Sequence, residues 1–501
     1  METMPYLEIR SSANLVVLEN EIITNYPLEI KKKWEIGRGV SGSSKDIELK
    51  SMIASRNHGT ITNVDGKWYF TENGSKNGTY YNGIKILKND AIALKNGDVL
   101  RIDSADINRP EERGVWMLFT TEPIGNQWKS IEINKENTIF GREEEECDVV
   151  FPMPYISARH MGVIRHNDKF YVTDFDSKSG TWVNNNSIHG YVELHEKDMI
   201  SICNCLMVFT GNKILYNIPA KTKNNKSADI PVSEPEIIGT PIILKADIKS
   251  RKVPDKSGHG MKELIRDVKV EVEEGTLVAL LGGAGAGKST VMNCMNGMDT
   301  GGMEGTVEFN GVDLLSQFDR MKFLIGSVPQ FEVFHETLTV EQELTHAARH
   351  RLPGDMKKSE IEERVTYTLR QLGIEAIRKN KISKCSGGER KRVNIGIELV
   401  ADRQLLCMDE PDAGLDPGNK RKLFELLRKL SHEEGKTILA IIHDVSDIEL
   451  FDKVIIMNKV DNIGRLAFTG TPEEAKKHFN ADIKDVYALM AKEPEKYIYR
   501  S

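Results

Sequence analysis

Residues 277–290 read Leu277-Val278-Ala279-Leu280-Leu281-Gly282-Gly283-Ala284-Gly285-Ala286-Gly287-Lys288-Ser289-Thr290. The five leading apolar residues have the length of a buried strand. The glycines that follow let the backbone curl so that its N–H groups point inward, at an anion. The helix that follows turns its positive N-terminal end to the same anion. G-x-x-x-x-G-K-S/T between an apolar strand and a helix predicts a phosphate-binding loop. Lys288 is expected to reach the terminal phosphates of a nucleotide, and Ser289 to ligate Mg2+.

The surrounding sequence is mixed α/β from about residue 239. Val268, Val270 and Val272 alternate as in an antiparallel strand. Leu405–Met408, Ile438–Ile442 and Val454–Met457 read as further short buried strands, and 339–403 as mostly helical. Thr471-Pro472-Glu473-Glu474 combines an N-cap residue, a proline at the first helical position and a glutamate at the third. Asp409 and Glu410 follow the apolar run Leu405–Met408. Asp409 is expected to hold Mg2+ through water. Glu410 is expected to orient or deprotonate an attacking water in line with the leaving phosphate.

The N-terminal 215 residues read as β structure, with turn signals at Asp65-Gly66, Asn82-Gly83 and Asn96-Gly97. They repeat. Gly37-Arg38, Ser55-Arg56-Asn57-His58 and Ser75-Lys76-Asn77-Gly78-Thr79 form one pass. Gly141-Arg142, Ser157-Ala158-Arg159-His160 and Ser177-Lys178-Ser179-Gly180-Thr181 form the second. The offset suits two copies of a small β-sandwich rather than a solenoid. Residues 214–238, with Lys221, Lys223, Lys226 and prolines at 219, 231 and 235, read as an exposed linker.

A chain of 501 residues suggests about three domains, and 39% hydrophobic residues can fill several cores. The net charge of -7 opposes a general nucleic-acid binder. Cys147, Cys203, Cys205, Cys294, Cys385 and Cys407 have neither disulfide nor zinc spacing, which fits reduced thiols in a cytosol. Cys203 and Cys205 are expected to share one strand face. No basic-then-apolar signal segment opens the sequence, and no apolar run approaches the ~18–20 residues needed to span a bilayer. Membrane association is therefore expected through a partner.

Cys385-Ser386-Gly387-Gly388-Glu389 completes the set. With the loop at 282–289 and the acids at 409–410, it resembles the ATP-binding-cassette (ABC) superfamily over 239–480. The run Glu389-Arg390-Lys391-Arg392 and Leu338-Thr339-Val340 look like the G-type exporters. Cys385 departs from the usual leucine or valine. The resemblance implies ATP and Mg2+ as ligands, with nucleotide contacts from Gly282, Gly283, Ala284, Gly285, Ala286, Gly287, Lys288, Ser289 and Thr290. It implies that Ser386, Gly387, Gly388 and Glu389 serve the ATP of an opposing cassette. Gln330 resembles the Q-loop glutamine, which senses Mg2+ and links to a transmembrane partner. Asp416 resembles the D-loop aspartate and His443 the switch histidine. No Phe, Tyr or Trp lies between Gly239 and Leu281 to stack on adenine, so selectivity for ATP over GTP is expected to be weaker. One glycine loop and one signature per chain imply a dimer, most simply a two-fold homodimer.

The repeated N-terminal pattern resembles forkhead-associated (FHA) domains, which read phosphothreonine, over 6–120 and 128–213. The resemblance gives Arg38, Ser55 and Asn77 of the first copy, and Arg142 and Ser157 of the second, to the phosphopeptide. His58 is expected to hold its loop in shape, and His160 matches it. Ser179 replaces the asparagine in the second copy, and Glu143–Glu146 oppose anion binding there, so the first copy is expected to be the better reader. Thr222 in the linker is a candidate internal ligand. The expected architecture is two all-β FHA-like sandwiches followed by an α/β P-loop NTPase with a helical subdomain, then a C-terminal tail over 481–501. The implied function is the ATP-hydrolysing subunit of an exporter. It would work with a separate transmembrane permease chain, at the inner face of the plasma membrane, under control of a Ser/Thr kinase and a phosphothreonine-containing protein. A non-transporting ABC ATPase and a phosphopeptide-binding scaffold with an inactive cassette are the alternatives.

Overall fold

The duplicated pattern folds into two sandwiches of similar layout, which differ in one strand: the place beside Val115–Thr120 is filled by the N-terminal Asn14–Glu19 in the first, and the matching place beside Cys205–Phe209 by the C-terminal Lys213–Asn217 in the second. The computed structural model describes residues 13–499 except 20–21, 29–30, 40–44, 65, 82–83, 103–114, 122–127, 168, 196–197, 219–241, 256–259 and 332–333. The first sandwich has a six-stranded sheet in the order Ile22–Pro27, Asn14–Glu19, Val115–Thr120, Val99–Ile102, Tyr80–Tyr81, Ile84–Lys85. The second has Trp128–Glu132, Lys213–Asn217, Cys205–Phe209, Met199–Ile202, Trp182–Val183, Asn186–Ser187. A five-stranded sheet covers each. In it, the strand preceding the arginine loop (Lys33–Arg38; Asn137–Gly141) pairs parallel with a short strand (Ile47–Leu49; Val149–Val150) and antiparallel with the next (Gly59–Val64; Met161–His166). Alternating side chains fill the interiors: Ile36, Ile61 and Phe70 in the first copy, Phe140, Val163 and Phe209 in the second.

Two expectations in this region are corrected. Residues 214–217 belong to the second sandwich, because Lys213–Asn217 pairs along its length with Trp128–Glu132 and buries Ile214 and Leu215. The rest of the expected linker, including Thr222, lies outside the described residues, as do Asp65, Asn82 and Gly83 of the turn signals. Cys203 and Cys205 do not share a strand. Ile202 pairs with Cys205, so Cys203 and Asn204 form a two-residue hairpin turn, with Cys203 at φ 48. Both thiols remain buried and unbridged.

The C-terminal domain has a ten-stranded sheet. Ile325–Val328, Leu405–Asp409, Thr437–Ile441, Leu277–Gly282 and Lys453–Val460 run parallel and adjacent. Ile463–Gly470, Met261–Glu273, Ile242–Pro254, Met303–Phe309 and Val312–Asp313 extend the sheet. All six residues of Leu277–Gly282 are buried, which explains its continuous apolar run. Among the described residues eight α-helices accompany the sheet: α1 (Lys288–Met295), α2 (Phe318–Met321), α3 (Val340–Arg351), α4 (Lys358–Gln371), α5 (Gly387–Leu399), α6 (Pro417–His432), α7 (Pro472–Phe479) and α8 (Ile483–Lys492). Helices α3, α4 and α5 form a subdomain around Leu344, Val365, Leu369 and Val393. No described helix is long and apolar enough to cross a membrane.

The expected tail over 481–501 is instead part of this domain. Helix α8 buries Ile483, Val486 and Met490, spaced i, i+3 and i+7. Tyr499 N then bonds Leu466 O at 2.8 Å.

The three modules pack against one another. Val16, Val99 and Leu118 of the first sandwich meet Met199, Leu206 and Val208 of the second. One apolar cluster joins the second sandwich to the sheet of the C-terminal domain. Arg320 of α2 is fully buried, and its Nε donates to Cys203 O at 2.6 Å. Thr121 Oγ1 donates to Gly311 O at 2.5 Å, tying the end of the first sandwich to the same region.

Candidate active site and phosphopeptide faces

Adjacent parallel strands bring their C-terminal ends together, and the residues of the site leave from those ends. The loop after Leu277–Gly282 leaves Gly283, Ala284 and Gly285 exposed and buries Ala286. Gly287, the N-cap of α1, has φ 85, and a Cβ there would lie 2.5 Å from Ile265 Cγ2. Only glycine meets both demands. Lys288 is 8% exposed and folds back, donating from Nζ to Gly282 O at 2.8 Å and Gly283 O at 3.2 Å. Burial lowers its pKa, while Glu410 and Asp409 act to raise it. Ser289 Oγ donates to Asp409 Oδ2 at 3.4 Å, and Thr290 follows on the first turn of α1. Hydroxyl and carboxylate together are a hard oxygen pair of the kind Mg2+ takes. Burial, and then the charge of Glu410, raise the Asp409 pKa.

Glu410 follows the strand Leu405–Asp409 and adopts φ 47. Its two carboxylate oxygens are divided between neighbouring loops. Gln330 Nε2 donates to Oε2 at 2.7 Å, and His443 Nε2 lies 2.6 Å from Oε1. Three residues far apart in sequence thus meet at one carboxylate. Sequence reasoning missed Lys420 of α6, whose Nζ sits 2.8 Å from Asp444 Oδ2 and 3.5 Å from Asp412 Oδ2. It ties the loop after Glu410 to the loop after His443. The Lys420 hydrogen bond, helped by Ser446, lowers the Asp444 pKa to about 2.

Ser386 caps α5 with a full capping box. Its Oγ accepts from Glu389 N at 3.4 Å, and Glu389 Oε2 accepts from Ser386 N at 2.7 Å. Glu389 thereby fixes the helix end that presents Ser386, Gly387 and Gly388. A Cβ on Gly387 would meet only Leu415, at 3.8 Å, and one on Gly388 only Asn419. Asp416 caps α6, accepting from Asn419 N at 3.1 Å. No hydrogen bond or ion pair among the described residues joins 386–389 to the glycine loop.

The two sandwiches present their matched residues differently. In the first, Ser55 Oγ accepts from Lys76 N at 2.9 Å, and Asn77 Nδ2 donates to Ile53 O at 2.8 Å. Arg38 Nη1 reaches Met52 Sδ at 3.0 Å, and Arg38 makes no ion pair among the described residues. His58 is fully buried, accepting from Ser55 N at 3.1 Å on Nδ1 and meeting Thr79 Oγ1 at 3.1 Å on Nε2. In the second, Ser157 Oγ accepts from Lys178 N at 3.1 Å, and buried His160 holds Ser157 N at 3.3 Å. Ser179 is buried. Arg142 does not open to solvent: it meets Asp355 and Glu360 of the C-terminal domain.

An ABC transporter family model matches residues 265–413, and an FHA domain model matches 34–103 and 138–203. The chain carries an ABC ATPase cassette behind two FHA domains. It is 28% identical over 349 residues to the ABC transporter ATP-binding/permease protein Rv1747 of Mycobacterium tuberculosis, covering 70% of this chain and 37% of that one. It is 29% identical over 321 residues to ABC transporter G family member 26 of Arabidopsis thaliana, covering 56% and 45%. To the broad substrate specificity ATP-binding cassette transporter ABCG2 of Mus musculus it is 35% identical over 226 residues, covering 44% and 33%. The chain thus spans less than half the length of each of these relatives.

The segment without Phe, Tyr or Trp contributes two paired antiparallel strands, Ile242–Pro254 and Met261–Glu273. Helix α8 brings the Tyr487 hydroxyl near Gly282, and burial pushes its pKa up to about 12. Nothing at 487 in the sequence signals that proximity.

Proposed function

We propose that the chain is the ATP-binding and ATP-hydrolysing subunit of an ABC-type exporter. In this reading it drives a membrane-spanning partner on a separate chain and is regulated by phosphothreonine recognition through the first sandwich, FHA1, the second sandwich being FHA2. The observation that carries the reading is the shared carboxylate of Glu410, held by Gln330 and His443 beside the Ser289–Asp409 pair. In it, the loop 282–287 and Lys288 bind the phosphates. Mg2+, held by Ser289 and Asp409, would offset phosphate charge. Glu410 takes the proton of the attacking water, and Gln330 and His443 keep its carboxylate aimed. Because each chain carries one glycine loop and one signature, and no bond among the described residues joins the two, two cassettes close on ATP as a homodimer in this reading, with Asp416 at the seam. FHA1 clasps phosphothreonine with Arg38, Ser55 and Asn77, on a protein phosphorylated by a Ser/Thr kinase. Arg38, with no carboxylate partner among the described residues, supports that assignment.

The test is a pull-down of the tagged chain from native membranes, with and without phosphatase. The reading expects a partner with several membrane helices in both samples and a second protein lost on dephosphorylation. A membrane-free eluate with unimpaired ATPase activity would favour a non-transporting ATPase.

A further inference from the structure

We propose that FHA2 takes the cassette itself as its ligand, its phosphate cradle holding the paired carboxylates of Asp355 and Glu360 in place of phosphothreonine. The inference rests on the FHA assignment of the second sandwich and not on ATP hydrolysis.

Arg142 stands where Arg38 stands in FHA1. Its Nε donates to Ile156 O at 3.1 Å, which aims the guanidinium outward. Nη1 donates to Glu360 Oε1, and Nη2 lies 3.5 Å from Asp355 Oδ1. The backbone N–H of Ala158, next to Ser157, donates to Asp355 Oδ2 at 2.7 Å. A guanidinium and a loop amide converging on one group of oxygens is the donor set an FHA cradle offers a phosphate. Two carboxylates supply about the same charge, since a phosphothreonine carries about -1.5 to -2.

The flanking charges match as well. Glu143, which repels an anion brought by a peptide, pairs with Lys357 Nζ at 3.2 Å. The acid–base–acid order Asp355, Lys357, Glu360 on the cassette thus meets an arginine, a loop amide and a glutamate on FHA2. Glu360 is also fixed from its own side, because its Oε2 accepts from Lys357 N at 2.7 Å and closes the first turn of α4. The side chain of Arg142 is 10% exposed, so a peptide reaches it only by displacing these carboxylates. Since α4 belongs to the subdomain that carries the signature, and Arg320 bonds FHA2 to the sheet side of the cassette, FHA2 bridges the two parts.

The experiment uses the full chain with Arg38→Ala, which removes the FHA1 arginine, and a pool of phosphothreonine peptides with degenerate flanks, read by fluorescence anisotropy. The single variant is expected to bind no peptide above the unphosphorylated pool. Adding Asp355→Asn and Glu360→Gln is expected to raise affinity at least about tenfold, the scale of a charge-assisted contact, and Arg142→Ala is expected to abolish that gain. Hydrogen exchange at residues 353–362 is expected to speed up in the Asp355→Asn/Glu360→Gln variant, whatever the peptide sequence. Peptide binding through Arg142 in the Arg38→Ala variant alone overturns the proposal. So does the absence of any gain on neutralising the acids, or unchanged exchange at 353–362. ATP turnover is not read, so failure here leaves the exporter reading standing, and failure of that reading leaves this one standing.

Discussion

Glu410→Gln removes the base while keeping the shape of the side chain. In the wild type the two oxygens of Glu410 accept from Gln330 at 2.7 Å and approach His443 at 2.6 Å. A glutamine offers one oxygen and one amide, so one of the two contacts survives as an oxygen acceptor. Losing or rearranging one such contact costs about 1–2 kcal/mol, so the variant is expected to fold. The same change removes a negative charge from beside Asp409. Loss of a positioned base costs about 10²–10⁴ in rate, which is about 3–5 kcal/mol at 1.36 kcal/mol per decade. The assay is steady-state phosphate release at saturating Mg-ATP over a range of protein concentrations, paired with size-exclusion chromatography. The expected result is turnover down at least about a hundredfold, with an ATP-bound dimer that persists on the column. Turnover within about tenfold of wild type, in protein that binds ATP normally, refutes the assignment of Glu410 as base.

Two further perturbations follow. Because burial and Glu410 raise the Asp409 pKa, the folded chain holds that proton more tightly than the unfolded chain, and the carboxylate loses stability as pH rises through its folded value. Asp409→Asn is therefore expected to melt higher than wild type at pH 7 without nucleotide, the gap closing below the ordinary value of 3.8. Thermal melts across that range check the sign, and Mg-ATP is expected to stabilise the wild type more than the variant. Arg320→Ala deletes a fully buried side chain and its bond to Cys203 O. It is expected to cost about 2–4 kcal/mol, read as a lower denaturant midpoint, with faster hydrogen exchange in the Met199–Ile202 and Cys205–Phe209 hairpin.

The residues of the candidate site stood out in the sequence because phosphate chemistry leaves little choice of residue. Gly287 must be glycine where φ is 85 and Ile265 closes in, and Lys288 must follow it. The apolar run 277–281 announced its strand because parallel strands are buried on both faces. The duplication at Gly37-Arg38 and Gly141-Arg142 announced the two sandwiches. Contacts between distant segments were not legible. Nothing near Arg142 in sequence points to Glu360, and nothing near Arg320 points to Cys203. Local periodicity could have shown the fate of 481–492, where Ile483, Val486 and Met490 repeat at helical spacing. The Cys203 turn was easy to pass over because Asn204 is a single turn-former inside a mostly apolar run, and the pairing of Ile202 with Cys205 is what reveals the reversal.

The central claim is that each active site is shared between two copies of the cassette. Lys288→Ala removes the phosphate lysine from one copy. Gly388→Asp puts a carboxylate on the signature of another, at a position where a Cβ meets Asn419 only at an ordinary 3.7 Å, so the helix is kept. Each variant alone is expected to be inactive. Mixed in equal amounts, they should form dimers with one intact site, in which the wild-type loop of one chain faces the wild-type signature of the other. Random pairing of independent sites restores about a quarter of wild-type phosphate release. Recovery to that scale is the result predicted, and a mixture as inactive as its two components would contradict the account.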